Sequence, residues 1–201
     1  YSNKIFDKNK EILQNEKQIE KRTLLLNKIE EQIRSKRLVL EKLLSELPTE
    51  ITQGNRSSTK EILNETKILV GYLKRKTSLI LLAEQKTEIT KDELVLLFNE
   101  SFNDLSCFNI NAGIGINEKQ IPVDIANKFY DVYNELITQI KKQNLDIWLA
   151  IKKREAWEFE ITFDGVNLNT PALNMPKDYN ISYSVSFEDG STVVCFKGAN
   201  V

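Results

Sequence analysis

The chain has 201 residues, with 28 Lys and Arg against 29 Asp and Glu and a net charge of −1. That length suits one large domain or two small ones, and the balanced charge gives no reason to expect nucleic acid or an anionic membrane as a partner. Histidine is absent, which removes His-based triads, His metal ligation and phosphohistidine chemistry from this chain. Cys107 and Cys195 lie far apart in apolar surroundings and read as buried structural thiols in a reducing compartment. No apolar run approaches the roughly 20 residues of a membrane span, and no signal-peptide pattern is present. The start at Tyr1 rather than Met reads as the edge of a piece cut from something longer.

An apolar residue recurs every seven positions at Ile5, Ile12, Ile19, Leu26, Ile33, Leu40 and Leu47. A period of 3.5 predicts a long helix with a left-handed supercoil. The companion seam is polar at Lys8, Asn15 and Arg22 and turns apolar at Ile29 and Leu43, with Leu24, Leu25 and Leu44 widening the face. The first part therefore reads as a weak coiled coil and the part after residue 24 as a strong bundle helix; a long helix packed on its own chain is the alternative. Pro48 and Gly54 bracket a predicted break. A second helix is expected from a Ser or Thr cap near 57–59 to about Lys86, burying Ile62, Thr66, Leu69, Leu73 and Ile80. Lys74, Arg75 and Lys76 read as a solvated helix face. Two helices with a short connection make an antiparallel hairpin, and two hairpins make a four-helix dimer.

Beyond residue 88 the pattern changes. Thr90 and Glu93 form a capping box, and the helix they open should bury Leu94, Leu97, Phe98, Phe102 and Leu105. Residues 107–116 alternate as a strand. Pro122 opens another helix with Ile125, Phe129, Val132, Leu136 and Ile140 on one face. Strands follow at about 145–152 and 156–163, then a loop rich in Asn and Pro over 165–179. A hairpin of 180–187 and 191–197 turns at Asp189-Gly190. The fold class is α+β: a long helical hairpin over 1–88, then over 89–201 a small α/β sandwich with helices on one face of a mixed sheet.

At Phe129 to Lys142 the sequence resembles the N box of sensor histidine kinases, roughly E-A-L-T-N-A-x-K-H. Glu135 matches the glutamate, Thr138 the threonine, and Lys141 or Lys142 the basic end. Gln139 stands in the slot of the magnesium-binding asparagine. Ile161 to Asn167 corresponds to the strand ending in D-x-G-x-G. In the better register Phe163 takes the aspartate slot; a slip of one would put Asp164 there but would turn every side chain of the strand over. Asp189 to Val194 resembles the G-x-T turn and closing strand. Ser45-Glu46-Leu47-Pro48-Thr49-Glu50-Ile51-Thr52 is similar to the phosphoacceptor box H-E-L-R-T-P-L-T, with Ser45, or in a second register Leu44, in the histidine slot.

The resemblance covers about 36–197. It implies a helical-hairpin dimerisation domain followed by a degenerate GHKL-type, or Bergerat-like, ATP-binding domain. It also implies ATP with magnesium at Asn134, Glu135, Gln139, Asp164, Gly165 and Thr192, with Gln139 as the metal ligand. The expected activity is that of a cytoplasmic signalling module without autokinase activity, anchored to a membrane through an upstream region. Its expected partners are a second copy or a related kinase in a heterodimer, and a response regulator. Two other readings stay open: a Mg·ATP-binding kinase or ATPase domain acting in trans through Glu135, Gln139 and Asp164, and a coiled-coil scaffold whose C-terminal part binds protein.

Overall fold

The computed structural model describes residues 2–140, 145–165 and 181–198. Helix α1 (Ser2–Thr52) turns back through Gln53–Asn55 into α2 (Arg56–Ala83). Then come β1 (Glu88–Thr90), α3 (Lys91–Leu105), β2 (Ile110–Ile116), β3 (Gln120–Pro122) and α4 (Val123–Ile140). Strands β4 (Leu145–Lys153), β5 (Trp157–Phe163), β6 (Ile181–Glu188) and β7 (Ser191–Gly198) complete the chain. A five-stranded mixed sheet runs β2-β4-β5-β7-β6, with β2 and β4 parallel and the other neighbours antiparallel. β1 and β3 form a small antiparallel pair. The α+β class and the hairpin-then-sheet order read from the sequence are those of the structure.

The local signals explain most of these elements. Thr90 Oγ1 accepts from the Glu93 N–H at 3.3 Å, and the Glu93 carboxylate accepts from the Thr90 N–H at 2.9 Å, so the capping box opens α3 as expected. Ile125, Phe129, Val132 and Leu136 of α4 are fully buried on the sheet, while the side chain of Ile140 lies outside the described residues. Phe98, Phe102, Phe129, Tyr130, Tyr133, Phe159 and Phe196 form a run of stacked and edge-on rings. Helices α3 and α4 cover the same face of the sheet, the one presenting Ile147, Leu149, Ile151, Phe159, Ile161 and Phe163; among the described residues no helix covers the other face.

Several boundaries fall elsewhere than expected. α1 runs through Pro48 to Thr52, because the missing proline N–H removes one bond close to the helix end while the Gln53 N–H still reaches the Thr49 carbonyl. The reversal comes at Gly54, at φ 69°, so the cap is Asn55, whose Oδ1 accepts from the Ser58 N–H at 3.3 Å. α2 ends at Ala83. The strand expected over 107–116 begins at Ile110, after a single 3-10 turn at Ser106–Phe108 and a left-handed Asn109. Both cysteines are half-buried and unpaired, and burial pushes both thiols up. The loop expected over 165–179 lies outside the described residues beyond Gly165.

The largest departure concerns the face of α2. Lys74 is exposed, but Arg75 and Lys76 are buried, Lys76 to 2%. The reason is that α2 is packed on both sides. Leu69 and Tyr72 join one core with α3, α4 and the sheet, so the side that would be solvated in a free hairpin is covered. α1 pairs with α2 only from about Lys28, whose ammonium meets Glu84 at 2.6 Å. Ahead of that point Ile12, Ile19 and Leu26 are 47, 63 and 65% exposed.

Candidate functional site

Helix α4 presents Asn127, Asp131, Asn134, Glu135 and Thr138 on a stripe of helical spacing, opposite the face that packs on the sheet, and this stripe meets the hairpin. Lys76 donates to Asn127 Oδ1 and Asp131 Oδ2, both at 2.6 Å. The Tyr72 hydroxyl donates to Asp131 Oδ1 at 2.9 Å. Burial pulls the Lys76 ammonium below its ordinary range, and the Asp131 charge opposes that shift. Beside this pair, Arg75 Nη2 lies 2.8 Å from Asp104 Oδ2 and donates to the Glu100 carbonyl at 2.7 Å, tying α2 to α3.

Glu135, one helical turn beyond Asp131, pairs with Lys36 of α1 at 3.0 Å, both side chains mostly shielded from water. Next to it a cavity of about 190 Å³ lies between α1, α2 and α4, lined by Lys36, Val39, Leu43, Ile68, Asn134 and Thr138 among others. Asn134 is 3% exposed and its Nδ2 has no hydrogen-bond partner among the described residues. Thr138 donates to the Glu135 carbonyl at 2.7 Å. Gln139 is exposed near the end of α4; Lys141 and Lys142 lie outside the described residues.

The remaining expected site residues sit at one end of the sheet. Phe163 is fully buried and pairs with Ile147 on one side and Thr192 on the other, so Thr192, 1% exposed, faces the core with it. Asp164 follows with its N–H on the Asp146 carbonyl at 3.0 Å. Its carboxylate accepts from Ser191 Oγ at 2.9 Å and so stands on the opposite, open face. Gly165 takes φ 72°, as the turn requires. Asn167 is outside the described residues.

The structure thus brings Asn134 to Glu135 and Asp164 to Gly165 and Ser191, but it points these groups in different directions. Glu135 and Asn134 face the hairpin, Thr192 the core, and Asp164 the open side of the sheet. The described residues do not fit one cradle for a magnesium nucleotide. No group of three or more acidic or cysteine side chains that could hold a metal occurs among them.

Leu44 and Ser45 lie on α1 well away from Glu135. Nine residues separate Ser45 from Lys36, about 13 Å along the helix. Leu44 is exposed, and Ser45 Oγ donates to the Lys42 carbonyl at 2.7 Å.

No family model matches the sequence, and no curated protein matches it either. Among solved structures, the chain is similar to a bacterial phosphotransferase at 11% identity, over 87% of this chain and 94% of that one, with a TM-score of 0.48. It is similar to the histidine kinase domain of a blue-light-activated histidine kinase from Erythrobacter litoralis at 11% identity, over 86% and 92%, with a TM-score of 0.45. It is also similar to histidine kinase ThkA, solved in complex with the response regulator TrrA, at 12% identity over 86% and 60%, with a TM-score of 0.43. The likeness is one of fold: a helical hairpin followed by an α/β layer. No described helix is long and apolar enough to cross a membrane.

The Arg75 and Lys76 contacts are the part of this region that sequence reasoning missed. The signal available was that Asn127 and Asp131 stand four apart on a helix that is otherwise apolar on one side, an acceptor pair in need of a buried donor.

Proposed function

We propose that this chain is a dimeric signalling module on a histidine-kinase-like frame, acting by docking and not by phosphoryl transfer. The observation that carries this reading is the clamp on α4. Lys76–Asp131 and Lys36–Glu135 fasten the helix that resembles the N box to both helices of the hairpin. An ATP-binding layer that serves a phosphoacceptor has to move over it, and the buried Lys76–Asp131 pair opposes such motion, because separating it would leave a charge unpaired in the interior. The absence of histidine supports the same reading, since the hydroxyl of Ser45 offers no labile phosphoramidate.

Dimerisation is supported by the outer face of the hairpin. Leu44 and Ile51 on α1, and Leu63 and Val70 on α2, are exposed at seven-residue spacing. Ile51 and Leu63 also line one shallow concavity of about 420 Å³ at the turn, together with Arg56 and Lys60. A second hairpin laid on this face completes a four-helix bundle and continues into a coiled coil through Ile12 and Ile19. A related kinase could take the second copy's place, and a response regulator is the proposed partner for the assembled bundle.

Light scattering on a sizing column tests the reading. The expected mass is twice that of one chain, falling to a single chain in the Leu44→Glu/Leu63→Glu variant with its helix content retained. A monomer at all concentrations would overturn it.

A further inference from the structure

The open face of the sheet carries one feature with no part in the proposed function. Trp148 of β4 points outward on this face and is 54% exposed. The neighbouring strand β2 places Gly113 and Gly115 beside it, and the indole lies along both. A Cβ at Gly113 would come within 2.5 Å of the six-membered ring, and one at Gly115 within 3.3 Å of Cζ2. The two glycines leave the space that lets the ring lie flat, with one face against the backbone and the other toward water. An exposed tryptophan seated in this way is costly to leave in water and well placed to bind.

The polar surroundings specify the charge of what binds. Asp146 stands two residues before Trp148 on the same face, about 7 Å along the strand, and Asp164, one residue past the end of β5, lies opposite it. Like charges directly opposite across strands destabilise a sheet. Among the described residues each of these carboxylates meets only a neutral donor: Asn111 Nδ2 at 2.8 Å for Asp146, and Ser191 Oγ at 2.9 Å for Asp164. The nearby cations on this face are engaged elsewhere, Lys152 with Glu160 at 3.2 Å and Lys197 with Glu158 at 3.3 Å. Two carboxylates with no cation on them among the described residues thus flank an aromatic plane. A guanidinium satisfies both at once, stacking on the indole while its N–H groups reach the acids, whereas an ammonium cannot stack in the same way.

We propose that this face docks a basic segment of another protein, one arginine of which stacks on Trp148 and pairs with Asp146 and Asp164. The surface is distinct from the hairpin, so docking here leaves the dimer face open.

The probe is a short peptide bearing two arginines, compared with versions carrying citrulline or lysine, titrated into the isotopically labelled chain. The readout is the indole N–H resonance of Trp148, with that of the buried Trp157 as an internal reference. The expected result is a saturable shift of Trp148 alone, at least tenfold weaker binding of the citrulline peptide, and an intermediate affinity for lysine. Asp146→Asn/Asp164→Asn should weaken the arginine peptide about tenfold or more, and Trp148→Ala should abolish binding, followed through the peptide's own resonances. Both variants alter exposed side chains, and an unchanged thermal midpoint verifies their fold. Equal binding of the citrulline peptide, undiminished binding to either variant, or no shift at saturating peptide would overturn the proposal. So would a Trp148 shift that depends on protein concentration without peptide, which would assign the face to a second copy of this chain.

Discussion

Lys76 is an ammonium held at 2% exposure by two oxygens of α4, Asn127 Oδ1 and Asp131 Oδ2, while the Tyr72 hydroxyl takes the other carboxylate oxygen of Asp131. Removing only the cation leaves Asp131 shielded and without its charge partner. Lys76→Met is therefore expected to cost about 3–5 kcal/mol in urea unfolding, whereas Lys76→Met/Asp131→Leu should recover a large part of that loss, because no lone charge remains inside. Glu93 makes a contrasting case at the surface. The hydrogen bond from Lys86, followed by those from Thr90, holds its carboxyl well below the ordinary 4.5, at about 2. The folded state binds this proton less readily than the unfolded one, so the contribution is complete above pH 4.5 and is lost as the pH falls toward 2. The thermal midpoint of the wild type should exceed that of Glu93→Gln at pH 6, and the gap should close as the pH is lowered through that window.

At the scale of the element, α2 departs most from its sequence pattern. A helix in a free hairpin needs one apolar stripe, and Ile62 and Ile80 lie on it, with Leu69 at its edge shared with the main core. The second contact surface, through Ile68, Tyr72, Arg75, Lys76 and Leu79, mixes aromatic and cationic residues and has no single period. It becomes legible only with Asp104 and Asp131 in place, tens of residues further along the chain. The capping box at Thr90, the turn at Asp189-Gly190 and the buried side of α4 were legible because each is decided within a few residues. Phe163 is buried beside Thr192, so this side of β5 turns to the core and Asp164 to the other face. Gly71 belongs to the hidden contact as well. A Cβ there would collide with the Asp104 carboxylate and the Arg75 guanidinium. An alanine ordinarily stabilises a helix interior by about 1 kcal/mol over glycine; Gly71→Ala should instead lower the unfolding midpoint of this chain.

The whole molecule joins a hairpin and an α/β layer through one continuous core, and its polar clamp sits where the resemblance to histidine kinases implies a catalytic face. The sequence resemblance implied nucleotide contacts for Asn134, Glu135, Asp164 and Thr192, but sequence gives a residue's place along an element and not the partner that will cover it. Lys36 and Lys76 cover α4 from helices far upstream. The account accordingly rests on the side chains of α4 being engaged by the hairpin and not by a nucleotide. Calorimetric titration of the chain with Mg·ATP tests this most directly. The account predicts no binding heat up to millimolar nucleotide. A micromolar affinity, about −8 kcal/mol, that disappears in Glu135→Ala would contradict it.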